Sequence, residues 1–156
     1  MKNVVLIGAT GYVGTALLNE LLSRGHKVTA ISRDASKVKI QNENLSVVEA
    51  DITNPAQLAK VAESKDAIIS AYNPGWTNSH IYEDTLENYP KIVKGAKESG
   101  VPRLLIVGGA GTLFVKPGLR LMDTGTLPEA WLPGVKSLGE FYLNTLMNEK
   151  ELDWVF

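Results

Sequence analysis

The chain has 156 residues and a mass of 16.9 kDa, with 44% apolar and 21% charged residues, which is the size and make-up of one folded domain rather than a disordered segment. Its 16 basic and 17 acidic side chains leave a net charge of −1, an even balance that argues against partners such as nucleic acid or an anionic membrane, which call for a basic face. It has no cysteine and only His26 and His80, which excludes disulfides, thiolate nucleophiles and Cys-based metal sites and leaves no metal site expected.

The elements alternate from the start. Val4-Val5-Leu6-Ile7 is a short apolar run closed by Gly8, the pattern of a strand buried on both faces. Tyr12 to Arg24 reads as a helix, with Val13, Leu17, Leu18, Leu21 and Leu22 at helical spacing and Gly25 as its stop. A second strand covers Lys27–Ile31, and Asp34 caps a short helix through Val38. Leu45–Val48 is a third strand, and Asn54-Pro55 opens a helix to about Ser64. Ala67–Ser70, Ile81–Ser99 and Arg103–Val107 read as strand, helix and strand.

Gly108–Pro133 is glycine- and proline-rich with weak periodicity, so it predicts a long functional loop, a lid or substrate platform. A last helix runs from Val135 to about Lys150, and Leu152–Phe156 begins a sixth strand. The chain stops there in mid-strand, which suggests a truncated form lacking part of a C-terminal substrate lobe. No signal-peptide core and no apolar stretch of roughly 20 residues is present, so the expected location is cytoplasmic. The whole pattern predicts a single α/β domain over 1–156, a doubly wound parallel sheet in three α/β/α layers, with Rossmann-like and flavodoxin-like strand orders in competition.

The first turn favours the Rossmann order. Gly8-Ala9-Thr10-Gly11-Tyr12-Val13-Gly14 follows a strand and opens a helix. Gly8 permits the tight turn, Gly11 lets the backbone approach a pyrophosphate, and Gly14 lets the helix pack on the sheet. The N–H groups of Gly11, Tyr12 and Val13 are then expected to face phosphates at the positive end of the helix. The bland alternative is a tight turn with no ligand. At the end of strand two, where an NAD site carries Asp or Glu, the chain has Ser32-Arg33-Asp34. Arg33 suits a 2′-phosphate, with Ser32 adding a hydroxyl, so NADP(H) is favoured and NAD(H) stays open; a solvated surface arginine is the alternative. Asp51 could accept from the adenine amino group or cap the following helix. Ser70, Ala71, Tyr72 and Asn73 end strand four, where the floor of the crevice is expected.

These residues resemble the short-chain dehydrogenase/reductase superfamily. The resemblance runs in order through Gly8–Gly14, Ala50-Asp51-Ile52, Ile69-Ser70-Ala71, Leu105–Gly109 and Lys136 with Gly139-Glu140. It is nearest to the atypical members: epimerase/dehydratase-like, NAD(P)H-binding, NADH-flavin reductase-like, NmrA-like and biliverdin/flavin reductase groups. The superfamily's catalytic groups are a Ser and a Tyr-x-x-x-Lys. Lys136 falls on the lysine, but Leu132 stands at the tyrosine and Gly109 at the serine. That weighs against epimerase, dehydratase or alcohol dehydrogenase chemistry, which needs an acid/base at the carbonyl.

Hydride transfer to a flavin or similar planar acceptor asks less of the protein, and Lys136 would still bond the nicotinamide ribose. The resemblance therefore implies an oxidoreductase of that kind. The other readings are an NmrA-like redox sensor acting through a regulatory protein partner, and a nucleotide-sugar epimerase or dehydratase; a homo-oligomer is open in each. The step Gly108–Gly111 is expected to leave a flat, open place above the nicotinamide. Tyr72, Trp76, Phe114 and Trp131 are candidate ring-covering residues, and His80 a candidate proton donor, each against a plain packing or surface role.

Overall fold

The computed structural model describes all 156 residues, Met1–Phe156. The strands form where apolar runs are short and bounded by turn residues: β1 Asn3–Ile7, β2 Lys27–Ser32, β3 Leu45–Glu49, β4 Ala67–Ser70, β5 Arg103–Ile106 and, near the end, β8 Asp153–Val155. All six are parallel, in the order β3-β2-β1-β4-β5-β8. That order is the Rossmann one, and it reverses between β1 and β4. The helices are α1 Tyr12–Ser23, α2 Pro55–Ala62, α3 Ile81–Ser99 and α4 Leu132–Asn144. Between β5 and α4 lies a small antiparallel hairpin, β6 Phe114–Lys116 with β7 Leu119–Arg120.

The chain divides into two compact units. The first comprises Met1–Tyr72, Lys91–Val107 and Glu151–Val155; the second comprises Asn73–Pro90, Gly108–Lys150 and Phe156. In the first, Leu6, Ala9, Leu18, Val28 and Ala30 form a closed apolar cluster joined by Leu17, Leu21, Leu22, Val38, Leu45 and Ile69. These are the periodic positions of α1 set against the β1 and β2 runs, so the amphipathic helix and the apolar strands bury each other. Right-handed crossovers place α2 on the face opposite α1. There Leu58 packs on Gly95 of α3 so closely that a β-carbon at 95 would lie 2.9 Å from Leu58 Cδ2.

In the second unit the core is aromatic. Tyr89 and Phe141 are buried with ring centres 5.0 Å apart, and Tyr142 stacks on Phe156 at 4.8 Å. The segment expected as one long loop is more ordered than its composition suggests. It holds the β6–β7 hairpin and short 3-10 turns at Ala110–Thr112, Leu121–Asp123 and Glu129–Trp131. Each of these lies below the length at which periodicity can be read. The last helix also begins and ends earlier than expected, with Pro133 inside its first turn, where proline is tolerated. The expected helix after Asp34 is a single 3-10 turn, Ala35–Lys37. No helix is long and apolar enough to cross a membrane.

Candidate functional site

The turn after β1 is built so that backbone, not side chain, occupies its inside. Gly8 has φ +82°, and a β-carbon there would lie 2.6 Å from the carbonyl oxygen of Ala71, at the end of β4. A β-carbon on Gly14 would collide with the Gly8 carbonyl group. Thr15 ties the turn from below, its hydroxyl donating to the Ala9 carbonyl at 3.1 Å. Gly11 is the N-cap of α1, without a side-chain cap, and no acidic residue lies in the first turn.

The expected phosphate donors change by one residue. Gly11 N–H donates to the Gly8 carbonyl at 3.0 Å, so it closes the turn instead of facing outward. Tyr12, Val13 and Gly14 supply the N–H groups that find no acceptor in the chain. The Tyr12 side chain is 97% exposed and stands clear of them. Thr10 is exposed at the rim. Three unpaired amides, an uncapped helix end and no competing carboxylate form a socket for an anion.

At the end of β2, Arg33 is exposed and has neither an ion-pair nor a hydrogen-bond partner. Ser32 is held differently from expectation. Its hydroxyl donates to the Asp34 carbonyl at 2.8 Å and accepts the Asp34 N–H at 3.2 Å, so its proton already has a partner. Ser32 therefore shapes the turn that presents Arg33. Asp34 caps the 3-10 turn, accepting from Ser36 N–H and Oγ, which hold its carboxyl below the usual range. Asp51 does not cap α2; Asn54 does, accepting from Ala56 and Gln57 N–H. Asp51 closes its own turn through Oδ1, which accepts the Thr53 hydroxyl at 2.7 Å and the Thr53 N–H at 2.9 Å. Those bonds, and after them the charge of Arg33, hold the Asp51 carboxyl below its ordinary range. Its Oδ2 is unengaged and the residue is exposed.

The β4 end lies beside the turn. Ala71 N–H donates to the Ile7 carbonyl at 2.9 Å, and buried Ser70 accepts the Val107 N–H on its carbonyl and the Tyr72 N–H on its hydroxyl. Small residues at 70 and 71 thus line the sheet edge at the reversal point, the place where doubly wound folds bind ligands. Tyr72 is half-buried.

The second unit carries the remaining candidates. Asn73 accepts the Gly75 N–H in a side-chain turn. Asn78 then accepts the His80 N–H and donates to Asp84 Oδ2 at 2.8 Å. His80 is exposed just before α3, the plain helix-start placement. Trp76 is 57% exposed, with one ring edge seated over Gly134, where a β-carbon would come 2.9 Å from Cζ3. Trp131 and Phe114 are also largely exposed.

The expectation of an open Gly108–Gly111 step needs correction. The Phe156 ring covers Gly108, where a β-carbon would lie 2.6 Å from Cε1, and Val135 covers Gly111, leaving only Gly109 and Ala110 exposed. Leu132 and Lys136 sit one turn apart on α4, so the lysine position is kept without its tyrosine, and Lys136 is exposed and unpaired. Sequence spacing gave no sign of one further pair: Tyr82 donates to Glu140 Oε2 at 2.7 Å, linking α3 to α4.

Residues 8–156, nearly the whole chain, match the family model described as NAD(P)H-binding. This chain belongs to the NAD(P)H-binding family. The expected place within the short-chain dehydrogenase/reductase-like superfamily is borne out. The chain is 37% identical over 153 residues to the uncharacterized protein YwnB of Bacillus subtilis, covering 97% of this chain and 68% of that protein. A crystal structure from Bacteroides thetaiotaomicron, named as a candidate epimerase, superposes with a TM-score of 0.92 at 56% identity, covering 99% of this chain and 69% of that one. A Streptococcus pneumoniae protein, named as a candidate NADH-flavin reductase, gives a TM-score of 0.76 at 28% identity, over 99% of this chain and 70% of its own.

The residues present fit the dinucleotide that this NAD(P)H-binding family takes. The turn leaves a cradle that β-carbons at Gly8 or Gly14 would destroy, and three unpaired amides line it.

Proposed function

We propose that the chain is an NADPH-preferring reductase of a flavin or a similar flat acceptor. The observation that carries the cofactor choice is Arg33, an exposed and unpaired guanidinium at the end of β2, where an NAD site would place a carboxylate for the ribose diol. A guanidinium there meets a 2′-phosphate through charge-assisted bonds worth about 1.5–3 kcal/mol. Tyr12, Val13 and Gly14 N–H hold the pyrophosphate, Asp51 Oδ2 accepts from the adenine amino group, and Lys136 bonds the nicotinamide ribose.

When bound, the nicotinamide supplies the hydride. The protein's part is to hold, orient and exclude, because Leu132 and Gly109 leave it without the superfamily's acid/base pair. A flat acceptor that carries its own redox chemistry suits such a site, and the resemblance to a candidate NADH-flavin reductase supports it. Phe114, Trp76 and Trp131 offer exposed aromatic surface for it.

The test is titration with NADPH and NADH, followed by addition of FMN while the nicotinamide absorbance is recorded. Tighter NADPH binding with flavin-dependent oxidation supports the reading. Tight binding with no turnover on any acceptor supports a redox sensor instead. Binding of a nucleotide sugar with indifference to flavins supports epimerase-like chemistry.

A further inference from the structure

Arg120 is half-buried on β7, and its Nε is shut off from solvent with no hydrogen-bond partner. It has no ion-pair partner either, although Asp123 and Glu129 lie close by in sequence. A donor withdrawn from water and left unpaired is costly, and native proteins carry few of them. The placement is not that of a loose surface arginine. Arg120 faces Phe114 across the hairpin, with its guanidinium carbon 4.8 Å from the ring centre. The hairpin is closed at its base by Leu121 N–H on the Leu113 carbonyl at 2.9 Å. Two residues on, Met122 packs on Gly139 of α4. The cation therefore rests over an aromatic ring at an anchored position, which lowers the entropy lost when it pairs. Phe114 remains 60% exposed.

We infer that Arg120 and Phe114 form a recognition site for a flat ligand bearing an oxyanion: phosphate, carboxylate or sulfonate. The exposed ring surface takes the flat part. The terminal guanidinium nitrogens, which unlike Nε stay open to solvent and have no partner in the chain, take the oxyanion. The inference rests on the reductase reading only in taking that ligand to be the acceptor.

The experiment uses the full chain saturated with NADP+, so that the α1 socket is filled, and measures dissociation constants for two matched pairs. One pair is FMN and riboflavin; the other is a naphthoquinone sulfonate and its neutral parent. The expected result is that the anionic member of a pair binds about tenfold tighter, that Arg120→Gln erases the preference, and that Arg120→Lys keeps part of it, since charge remains without the fork. Unchanged NADP+ affinity and melting temperature show that the variants are folded. Equal binding within both pairs, no binding by either pair, or a preference that survives Arg120→Gln overturns the inference. A preference confined to the naphthoquinones upholds Arg120 and counts against the flavin reading alone. Failure to bind NADP+ counts against the cofactor reading, and the pairs are then measured on the free protein.

Discussion

Gly14 faces the Gly8 carbonyl so closely that any β-carbon at 14 would overlap it, the nearest other atom being the Gly8 carbonyl carbon at 2.6 Å. Both groups are backbone, so neither a rotamer change nor a small shift relieves the clash. Gly14→Ala is expected to destabilise the chain by about 3 kcal/mol or more and lower the melting temperature by about 6–12 °C. Gly11 is the control. A β-carbon there meets only the Gly8 oxygen, at 3.4 Å. Gly11→Ala should lower the melting temperature only by the few degrees that alanine costs relative to glycine at an N-cap. On the proposed cofactor reading it should nevertheless weaken NADP(H) binding, because the added methyl would stand where the pyrophosphate approaches. Calorimetry and cofactor titration together separate the two roles.

On the proposed reading Arg33 favours NADPH through its charge, and it has no ion-pair or hydrogen-bond partner in the chain. Arg33→Ala should weaken NADPH by about tenfold or more while NADH changes little. An equal loss for both cofactors would place Arg33 outside the 2′-phosphate site. Ser32→Ala should act differently. The hydroxyl braces the Asp34 turn, so a smaller loss for NADPH should accompany a looser turn.

The Tyr82–Glu140 hydrogen bond makes a pH-dependent contribution. Its carboxylate partner, burial and the charge of Glu140 raise the Tyr82 hydroxyl above its ordinary value of 10.0. The folded form thus holds this proton more tightly than the unfolded chain. The stabilisation is full below pH 10 and disappears as pH rises through the raised value. In an alkaline ultraviolet titration, Tyr82→Phe should remove one late-ionising tyrosine. Glu140→Leu should move that transition to lower pH. A titration curve unchanged by Glu140→Leu would sink this account.

Asn54 caps α2 through its side-chain oxygen, with Ala56 N–H at 3.1 Å and Gln57 N–H at 3.4 Å. Asn54→Ala should cost about 1 kcal/mol, seen as a melting temperature about 2–4 °C lower, while Asn54→Asp should cost little. Cofactor affinity should stay unchanged in both, since Asp51 keeps its own turn on Thr53.

Much of this protein is determined by its sequence. Apolar runs of strand length, amphipathic repeats and the Gly8–Gly14 turn are local signals. They set the six strands, α1 to α3 and the dinucleotide cradle, because each element's partner is selected by its own periodicity. The strand order followed from the same turn. Packing between distant elements sets the rest, because it joins groups that lie far apart along the chain. Tyr82 and Glu140 are 58 residues apart, and Phe156 closes over Gly108 from the far end of the sequence. Arg120 is an ordinary loop arginine in the sequence, and it becomes a candidate recognition group only when the hairpin sets it on Phe114 and buries Nε. Spacing cannot encode such meetings, since packing between distant elements, not local backbone preference, fixes which side chains touch and which donors lose their water.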